Sequence, residues 1–496
     1  MKKTACLLAL LLGWVWGCAP AQQPTLNLFF TSDIEGVFWP RPEPRYGNEV
    51  TGGLSVLKSF LDKQTLPFIL LEGGNWYAQT PEGTLTKGEY FNETASSLPY
   101  SARLFTEKDL LYGWGALSHI VKDSPAPFVL ANVTLSNGKL PAGMRAWLLE
   151  ETAGIKVGVF GLVSRHGMKG KQRLGGLKIH DEIESAQKAV QLLREKGAQV
   201  VVLISALGTP DDKEAITDSR LAEEVPGIDI IVSANLGRQE AESIRVGKTW
   251  IVYPGSKLDS VGQMRLFFNK NKELSKAEFE DIVLYRRDFG EDSHVADLTA
   301  NLRRSTRGQM NRFVGKMDQA LQGDLNAESA LGNFAADCLR KWAKTDVAIL
   351  NSDSLREALP AGEITQYDLY RLYPYADHVT YLTMKGDSLL SALEAGLDEK
   401  DHFPQISGLK VRYNPNAATG KKILAVSVNG VPLSPKATYK VAVTDYMLAG
   451  GAGHDGFIDS LEFKNTQVEM RTILRLCLSG KNTTPKPEIN RWRTAK

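Results

Sequence analysis

Histidine and cysteine are scarce in this chain, which has seven histidines and four cysteines among 496 residues. No two histidines stand at a spacing typical of a metal-binding pair, so surface or packed histidines are the default interpretation. Four cysteines are too few to build a disulfide framework for a chain of this length. The composition therefore excludes a disulfide-rich scaffold, and no histidine pair points to a metal.

An excess of charge is also missing, because 59 basic and 57 acidic side chains leave a net charge of +2. The sequence contains no run of basic residues that could track a phosphate backbone, so nothing favours a nucleic-acid partner. Beyond the N-terminus, no apolar run reaches the roughly 20 residues that span a bilayer. The chain is longer than the about 250–300 residues at which single cores stop growing, which indicates more than one domain.

The first residues are typical of a targeting segment. A positive start precedes an apolar run at residues 5–16, and Gly17 and Cys18 follow at once. A small residue directly before a cysteine favours a bacterial lipoprotein signal within residues 1–21, with Cys18 as the lipidated residue. The alternative is an ordinary secretory signal cut after Ala21. Both interpretations predict export to the periplasm or the cell surface, and the first adds a membrane anchor.

Two cysteines, Cys338 and Cys477, remain once the signal and its lipidated residue are set aside. Both lie in apolar patterns typical of helices. Core thiols are the favoured interpretation, although an oxidising compartment permits a bridge between them.

Short apolar runs alternate with amphipathic segments in residues 25–290. Amphipathic patterns predict helices at 53–63 and 183–193. Such strands and helices place the loops that follow the strands along one rim of a sheet. The runs that predict buried strands are 26–30, 67–71, 127–130, 155–162, 200–204, 228–232 and 250–253.

The composition changes in the linker region, residues 291–320. Its charged segment 297–307 has little apolar content and predicts an exposed linker helix. A second α+β pattern occupies residues 321–490 and predicts a second domain. Its predicted elements are helices at 338–342 and 387–397 and strands at 347–350, 409–413 and 423–429.

Polar side chains follow the predicted strands at their carboxyl ends. Asp33 and Glu35 come after the first strand, and Asn75 comes after the second. Glu107 and Lys108 stand in a later loop of the same domain. Carboxylate and amide groups gathered at one rim are candidates for a functional site.

These loops and the C-terminal half resemble the bacterial periplasmic 5'-nucleotidase/UDP-sugar hydrolase family over about residues 25–480. The resemblance implies an α/β and α+β fold: an N-terminal calcineurin-like metallophosphatase domain, which is a four-layer α/β/β/α sandwich, then a linker helix and a C-terminal α+β domain that binds substrate. It also implies two metal ions, held by Asp, His and Asn, that activate water for attack on a phosphoester.

The residues at the family's metal positions depart from its pattern. Asp33 matches the first Asp, but Glu35 stands at a His position and Asn75 at the position of the bridging Asp. The family's Gly-Asn-His-Glu stretch aligns with residues 106–109 of this chain, which puts Lys108 at the His position. Later imidazole positions hold other residues, namely Ala206, Asn235 and Gly237. The resemblance therefore implies a degenerate site, for which we expect no metal cofactor.

Two interpretations of this rim stay open. In the favoured one, Lys108 neutralises the carboxylates as an internal ion pair, since two carboxylates about 4 Å apart repel by roughly 4 kcal/mol at an effective dielectric of about 20. In the other, oxygen ligands hold one hard divalent ion such as Mg²⁺, Ca²⁺ or Mn²⁺. The four residues that would supply those ligands are Asp33, Glu35, Asn75 and Glu107.

The C-terminal domain keeps more of the family's site. Asn351 and Arg356 match the two ends of its Asn-x-Gly-Gly-x-Arg loop, and Arg suits a phosphate or a carboxylate. Tyr375 and Tyr446 match the two aromatic residues that stack a nucleobase in the family. These four positions predict binding of a nucleoside- or nucleotide-like ligand.

Three functions are compatible with this sequence. The favoured one is an exported lipoprotein pseudoenzyme that binds a nucleoside- or nucleotide-like ligand without binuclear-metal phosphatase chemistry. The first alternative is an active phosphoester hydrolase of the 5'-nucleotidase type, acting in nucleotide catabolism through an oxygen-ligated metal. The second is a non-catalytic scaffold at the membrane surface, because a fold alone does not assign a function.

Overall fold

The structure is a computed structural model of the chain. Cys18, Asn235 and Gly237 lie outside the part that it describes. Within that part, no helix is both long enough and apolar enough to cross a membrane. The described residues are 25–77, 80–168, 174–207, 215–234, 240–398, 400–453, 455–479 and 487–495.

Two sheets form the centre of the N-terminal domain. Among the described residues, the first has seven strands in the order β17 (Leu274–Val283), β16 (Ser260–Phe268), β1 (Thr25–Thr31), β4 (Phe68–Glu72), β5 (Tyr100–Arg103), β6 (Phe128–Val129) and β8 (Met144–Arg145). The second has six, in the order β14 (Glu242–Val246), β15 (Thr249–Tyr253), β13 (Ile230–Ser233), β12 (Val200–Ala206), β10 (Ile155–Val163) and β9 (Trp147–Thr152). Short ribbons pair β2 (Arg41–Glu43) with β3 (Glu49–Thr51) and β7 (Val133–Leu135) with β11 (Leu177–Ile179).

Helices flank these sheets. Those of the described N-terminal half are α1 (Leu54–Asp62), α2 (Pro81–Leu85), α3 (Glu89–Ala95), α4 (Gly113–Asp123), α5 (Arg165–Met168), α6 (Glu182–Glu195), α7 (Asp218–Glu224), α8 (Arg286–Phe289) and α9 (Ser293–Met310). On the first sheet, Phe60 of α1 packs edge-on against Phe29 of β1, with ring centroids 5.3 Å apart.

Side chains of the second sheet alternate between two cores, because successive residues of a strand point to opposite faces. In β12, Val200, Val202 and Ile204 join the core shared with the first sheet. Val201 and Leu203 instead pack with the apolar face of α6. The layers therefore run helix, sheet, sheet, helix, and the predicted fold class is confirmed.

The predicted strands occupy the parallel part of both sheets. All seven predicted runs overlap strands β1, β4, β6, β10, β12, β13 and β15. Parallel pairing joins β1, β4, β5 and β6 in one sheet and β10, β12, β13 and β15 in the other. In such sheets, ligands bind outside the carboxyl ends of the strands. The loops after these strands are therefore where the functional site is expected.

Helix α9 confirms the predicted helix of the linker region, and most of its residues are exposed, but one face is not. Val295, Leu302 and Met310 are buried along this face, and the helix packs against α1, α2 and α3. Thr299 and Thr306 complete this face, because each hydroxyl donates to a carbonyl of the preceding turn, at 3.0 Å and 3.1 Å. The sequence concealed the face because two of its members are polar residues.

The C-terminal domain combines a five-stranded sheet with helices. Among the described residues its order is β22 (Pro404–Ser407), β19 (Val347–Asn351), β26 (Thr438–Thr444), β21 (His378–Lys385) and β27 (Glu462–Glu469). A second sheet has the order β25 (Val431–Pro432), β24 (Ile423–Val428), β23 (Leu409–Tyr413) and β28 (Trp492–Thr494), and β18 (Phe313–Met317) pairs with β20 (Gly362–Thr365). The helices here are α10 (Ala330–Ala343), α11 (Gln366–Leu372), α12 (Gly386–Gly396), α13 (Asp445–Leu448) and α14 (Met470–Leu478).

A disulfide joins Cys338 of α10 to Cys477 of α14, with 5.7 Å between the two Cα atoms. The expectation of two core thiols was therefore wrong. The two cysteines are 139 residues apart in sequence, and only the packing of α10 on α14 brings them together. Helical apolar patterns reveal that each cysteine faces a core but not which helices are neighbours.

We expect the double substitution Cys338→Ala and Cys477→Ala to lower the free energy of unfolding by about 2–5 kcal/mol, because it releases a long closed loop in the unfolded chain. Urea unfolding followed by tryptophan fluorescence measures the loss. A reducing agent should destabilise the natural protein by a similar amount and leave the double variant unchanged. Equal stability of the natural protein with and without reductant would contradict the bridge.

Candidate functional site

Three of the predicted site residues lie on tight loops in the left-handed backbone region. The angle φ is 48° at Asp33, 56° at Glu35 and 54° at Asn75. Residues other than glycine are uncommon there, and such positions cluster at functional sites. Backbone hydrogen bonds join the two loops, since Asp33 N donates to Gly74 O at 3.0 Å and Glu35 N donates to Asn75 O at 2.9 Å. The loops after β1 and β4 therefore form one unit.

The side chains of Asp33 and Asn75 are hydrogen bonded to each other. Asn75 Nδ2 donates to Asp33 Oδ1 at 2.6 Å, and both residues are buried. Ser32 Oγ donates to the other carboxylate oxygen of Asp33 at 3.3 Å. Because donors from the protein engage both oxygens, the Asp33 carboxylate is satisfied internally.

Asp109, which was not predicted from the sequence, holds the Asn75 loop in place. Its carboxylate accepts from the backbone N–H groups of Asn75 at 2.7 Å, Trp76 at 3.0 Å and Thr106 at 2.8 Å. Burial raises the pKa of Asp109 to about 6, although these hydrogen bonds oppose the rise. The carboxylate bonded to this loop is therefore Asp109, two residues beyond Glu107, which was the predicted ligand.

Lys257, also missed, supplies the ion pair of Glu35. Lys257 Nζ lies 3.9 Å from Glu35 Oε2, and Lys257 N donates to Asp33 O at 2.8 Å. Burial raises the pKa of Glu35, whereas Lys257, then Lys108 and Arg356, lower it. Lys257 makes the ion pair that was assigned to Lys108, and Lys108 acts at longer range. Lys257 follows β15, so the strand-end rule that selected Asp33 and Asn75 also applies to it.

The C-terminal domain brings Arg356 and Tyr375 to the same place. Arg356 is exposed, and its charge acts on Glu35 of the other domain as well as on Tyr375. Burial raises the pKa of Tyr375, and the charge of Glu35 adds to that rise. The Tyr375 ring also packs edge-on against Tyr373, with centroids 6.0 Å apart. Arg356 and Tyr375 of the C-terminal domain therefore lie within electrostatic range of Glu35.

Asn351 is engaged within its own loop. Its Oδ1 accepts from Ser354 Oγ at 2.7 Å, and its Nδ2 donates to Asp353. Asp353 Oδ1 also lies 3.1 Å from His402 Nδ1. Asn351 thus shapes the loop that carries Arg356.

The ring of Tyr446 lies against the backbone of Gly451. A Cβ added at Gly451 would come within 2.5 Å of the Tyr446 ring. The absence of a side chain at position 451 therefore leaves the space that the ring occupies. The assignment of Tyr446 and Tyr375 as the aromatic pair that stacks a base stays a prediction.

Small and hydroxyl side chains occupy the described part of the rim where the resemblance implies imidazoles. Ala206 ends β12, and Ala234 directly follows β13. Ser205 Oγ donates to Asp218 Oδ1 at 2.5 Å, and Ser233 Oγ donates to the other oxygen. Burial raises the pKa of Asp218 to about 6. A buried aspartate therefore links these two strand ends.

A pair of divalent ions needs a bridging carboxylate and imidazole or carboxylate ligands for each ion. Within the described ranges, no three His, Cys, Asp or Glu side chains lie close enough together to hold a metal ion. Asn75, at the bridging position, presents N–H to Asp33, and Lys257 puts a positive charge beside Glu35. The residues present do not fit the two ions that the resemblance implies.

Replacing Asp109 with alanine would leave three buried N–H groups without their acceptor, at a cost of about 1–3 kcal/mol for each unpaired group. We expect the free energy of unfolding to fall by about 3–5 kcal/mol, as measured by urea denaturation. The matched control is Asp62→Ala, which removes an exposed pair with Lys58 and should cost less than about 1 kcal/mol. Similar losses in the two variants would contradict the role of Asp109.

Asp218 predicts a pH dependence of stability. Its pKa is raised to about 6 from an ordinary value of 3.8, so its contribution to stability is present below 3.8 and is lost as the pH rises through about 6. Asp218→Asn removes this titration and keeps an acceptor and a donor for the two serines. Between about pH 5 and about pH 7.5, the variant should gain about 1 kcal/mol of unfolding free energy relative to the natural protein. Denaturation at both pH values tests this, and a constant difference contradicts it.

The chain is similar to known proteins over nearly all of its length. A family model described as the C-terminal domain of 5'-nucleotidase matches residues 310–459. The 5'-nucleotidase of Vibrio cholerae is 24% identical and aligns with 97% of this chain and 95% of its own length. Protein UshA of Yersinia enterocolitica is 22% identical over 92% of this chain and 91% of its own.

A solved structure shares the fold of both halves. The 5'-nucleotidase precursor from Thermus thermophilus superposes with a TM-score of 0.77 at 22% identity, covering 95% of this chain and 99% of that chain. The two stacked sheets, the C-terminal domain match and the full-length relatives agree with one another. Residues 310–459 therefore carry the C-terminal domain of 5'-nucleotidases, and the chain is similar to members of that family over nearly all of its length.

Proposed function

We propose that this chain is an exported, lipid-anchored binding protein. In this proposal it holds a nucleoside- or nucleotide-like ligand in the cleft between its two domains and does not carry out the binuclear-metal phosphoester hydrolysis of its family. The observation that carries the proposal is the hydrogen bond from Asn75 Nδ2 to Asp33 Oδ1 at 2.6 Å. It fills, with a neutral donor, the place where the family's chemistry requires a bridging anion.

The charges around Glu35 support the same conclusion. A cation that must be held by oxygen ligands is repelled by a neighbouring ammonium group, and Lys257 Nζ lies 3.9 Å from the Glu35 carboxylate. Lys108 and Arg356 add further positive charge around this carboxylate. The protein thus supplies its own positive charge at the rim.

Aromatic and cationic groups of the C-terminal domain support ligand binding. Tyr375 and Tyr446 keep the residue type needed to stack a base, and stacking tolerates different bases because every base has a π-face. Arg356 is exposed beside Tyr375 and suits an anionic group of the ligand. Binding energy therefore comes from stacking and charge, with no reaction required.

Export and anchoring rest on the N-terminal sequence. The apolar segment that ends in Gly17 and Cys18 has the pattern of a lipoprotein signal. The Cys338–Cys477 disulfide suits the oxidising compartment that export would reach. We therefore place the protein in the periplasm or on the cell surface, attached through Cys18.

Calorimetric titration with a panel of nucleosides and their monophosphates tests the proposal. We expect saturable binding of at least one compound, weakened about 10- to 100-fold by Tyr446→Leu, because base stacking contributes about 1–3 kcal/mol. Tyr367→Leu is the matched control, since this exposed tyrosine of α11 lies under Arg371. No heat with any compound refutes the pocket, and a stable co-purifying protein partner would then select the scaffold function.

Elemental analysis and phosphate release complete the test. The proposal expects no stoichiometric transition metal and no release of phosphate from the bound nucleotide. Two tightly held metal ions together with metal-dependent hydrolysis, abolished by Asp33→Ala, would contradict it and establish an active phosphoesterase.

A further inference from the structure

We propose that strand β27 is a dimerisation edge, at which a second copy of this chain pairs and continues the five-stranded sheet of the C-terminal domain. The two β27 strands would pair antiparallel about a two-fold axis that passes between their Phe463 residues. This inference concerns a surface of the C-terminal domain and does not depend on the proposed function.

Strand β27 is an open edge of that sheet. Among the described residues it ends the strand order and pairs with β21 on one side only. Residues 461–464 are all exposed, and Leu461 and Phe463 are 54% and 56% exposed. The unpaired N–H and C=O groups of an edge strand are a template for another strand, and apolar side chains beside them favour its pairing.

The other edge of the same sheet, β22, is closed by the chain itself. All four residues of β22 are buried. The Arg491 guanidinium donates to Ile406 O, and Trp492 Nε1 donates to Pro404 O at 3.0 Å. Because one edge is closed and the other is open, pairing through β27 stops at two chains.

The face of β27 that carries the apolar side chains continues an existing core. Phe463 lies opposite Leu382 in the register with β21. Leu382 is buried in one core with Leu389 and Leu393 of α12. In the dimer the two Phe463 side chains would stand side by side on this face, because directly opposite residues of an antiparallel pair are about 4.5–5.5 Å apart. Pairing would therefore remove from water an aromatic side chain that the single chain leaves exposed.

The charged residues of β27 select one register. When Phe463 is opposite its own copy, Glu462 is opposite Lys464 of the partner subunit, and by symmetry this pair occurs twice. Shifting the pairing by two residues instead puts Glu462 opposite Glu462 or Lys464 opposite Lys464, and like charges directly opposite each other are destabilising. A shift by one residue puts Phe463 opposite a charged residue. The charges therefore favour the pair that is centred on Phe463.

A distortion limits the length of the open edge. The register of β27 with β21 shifts between His378 and Thr380, and Gln467 has a φ of 58°. Such irregularities bend an edge strand and end its pairing. The regular segment that remains is residues 462–465. Because so short a strand pair buries little surface, we expect the dimer to form at micromolar concentrations.

Sedimentation velocity of the chain without its signal segment and Cys18, residues 19–496, tests the pairing. We expect a monomer at about 1 µM and a dimer at about 200 µM. Glu462→Lys and Lys464→Glu should each raise the dissociation constant at least about 10-fold, because each variant sets like charges opposite each other twice. An equimolar mixture of the two variants should dimerise as the natural protein does, since each chain then supplies the charges that the other lacks. Leu424→Ser, at an exposed apolar residue of β24, is the matched control and should leave the dimer unchanged.

Cysteine cross-linking tests the register. Phe463→Cys should form a disulfide-linked dimer under mild oxidation, because the two copies of position 463 lie opposite each other within the span of a disulfide. Leu461→Cys is the matched control, since Leu461 is almost equally exposed. Its two copies are separated by about 13 Å along the strands, and the variant should stay unlinked. Non-reducing electrophoresis measures both results.

A natural protein that stays monomeric at every concentration overturns the proposal, and so does a dimer that survives in both single charge variants. Equal cross-linking of the two cysteine variants contradicts the register. A monomer that sediments with phosphatidylglycerol vesicles, and that loses this binding in Phe463→Ser, would assign the strand to a lipid surface and overturn the dimer.

Discussion

The hydrogen bonds that the Asp109 carboxylate accepts determine the geometry of the whole rim. Asp109 holds the backbone of Asn75, and Asn75 in turn directs its amide to Asp33. Glu35 then bonds back to the carbonyl of Asn75. Three residues with left-handed backbone conformations on two loops are stable together because each loop supplies hydrogen-bond partners for the other. Few single contacts would hold them in this way.

This arrangement changes how charge is balanced at the rim. A family site with two metal ions gathers anions and leaves their neutralisation to the metals. Here one carboxylate is satisfied by an amide and a hydroxyl, and another is paired with a lysine. The hydrogen bonds on both oxygens of Asp33 and the positive charge beside Glu35 make both carboxylates weaker ligands for a cation.

The two domains contribute unequal parts to this balance. The N-terminal sheets position Glu35 and Lys257 on short loops after parallel strands. The C-terminal domain adds Arg356 and Tyr375, and it also contacts the first domain through Tyr112, whose hydroxyl interacts with the buried Arg471. Arg471 bonds to Tyr373 O at 2.9 Å, which connects this contact to the segment that carries Tyr375. The interface and the site therefore share one structural support.

Local patterns in the sequence determined the strands and the rim, because apolar runs and turn residues act over a few neighbouring positions, whereas the layers were implied by the resemblance. They also identified Asp33, Glu35 and Asn75 as polar residues that follow two of these strands. Only the tertiary structure decided that Asp109 contacts Asn75, that Lys257 pairs with Glu35 and that Cys338 bonds to Cys477. The physical reason is that these contacts join residues far apart in the chain. Their distances are set by the packing of whole layers, and electrostatic energy depends directly on distance.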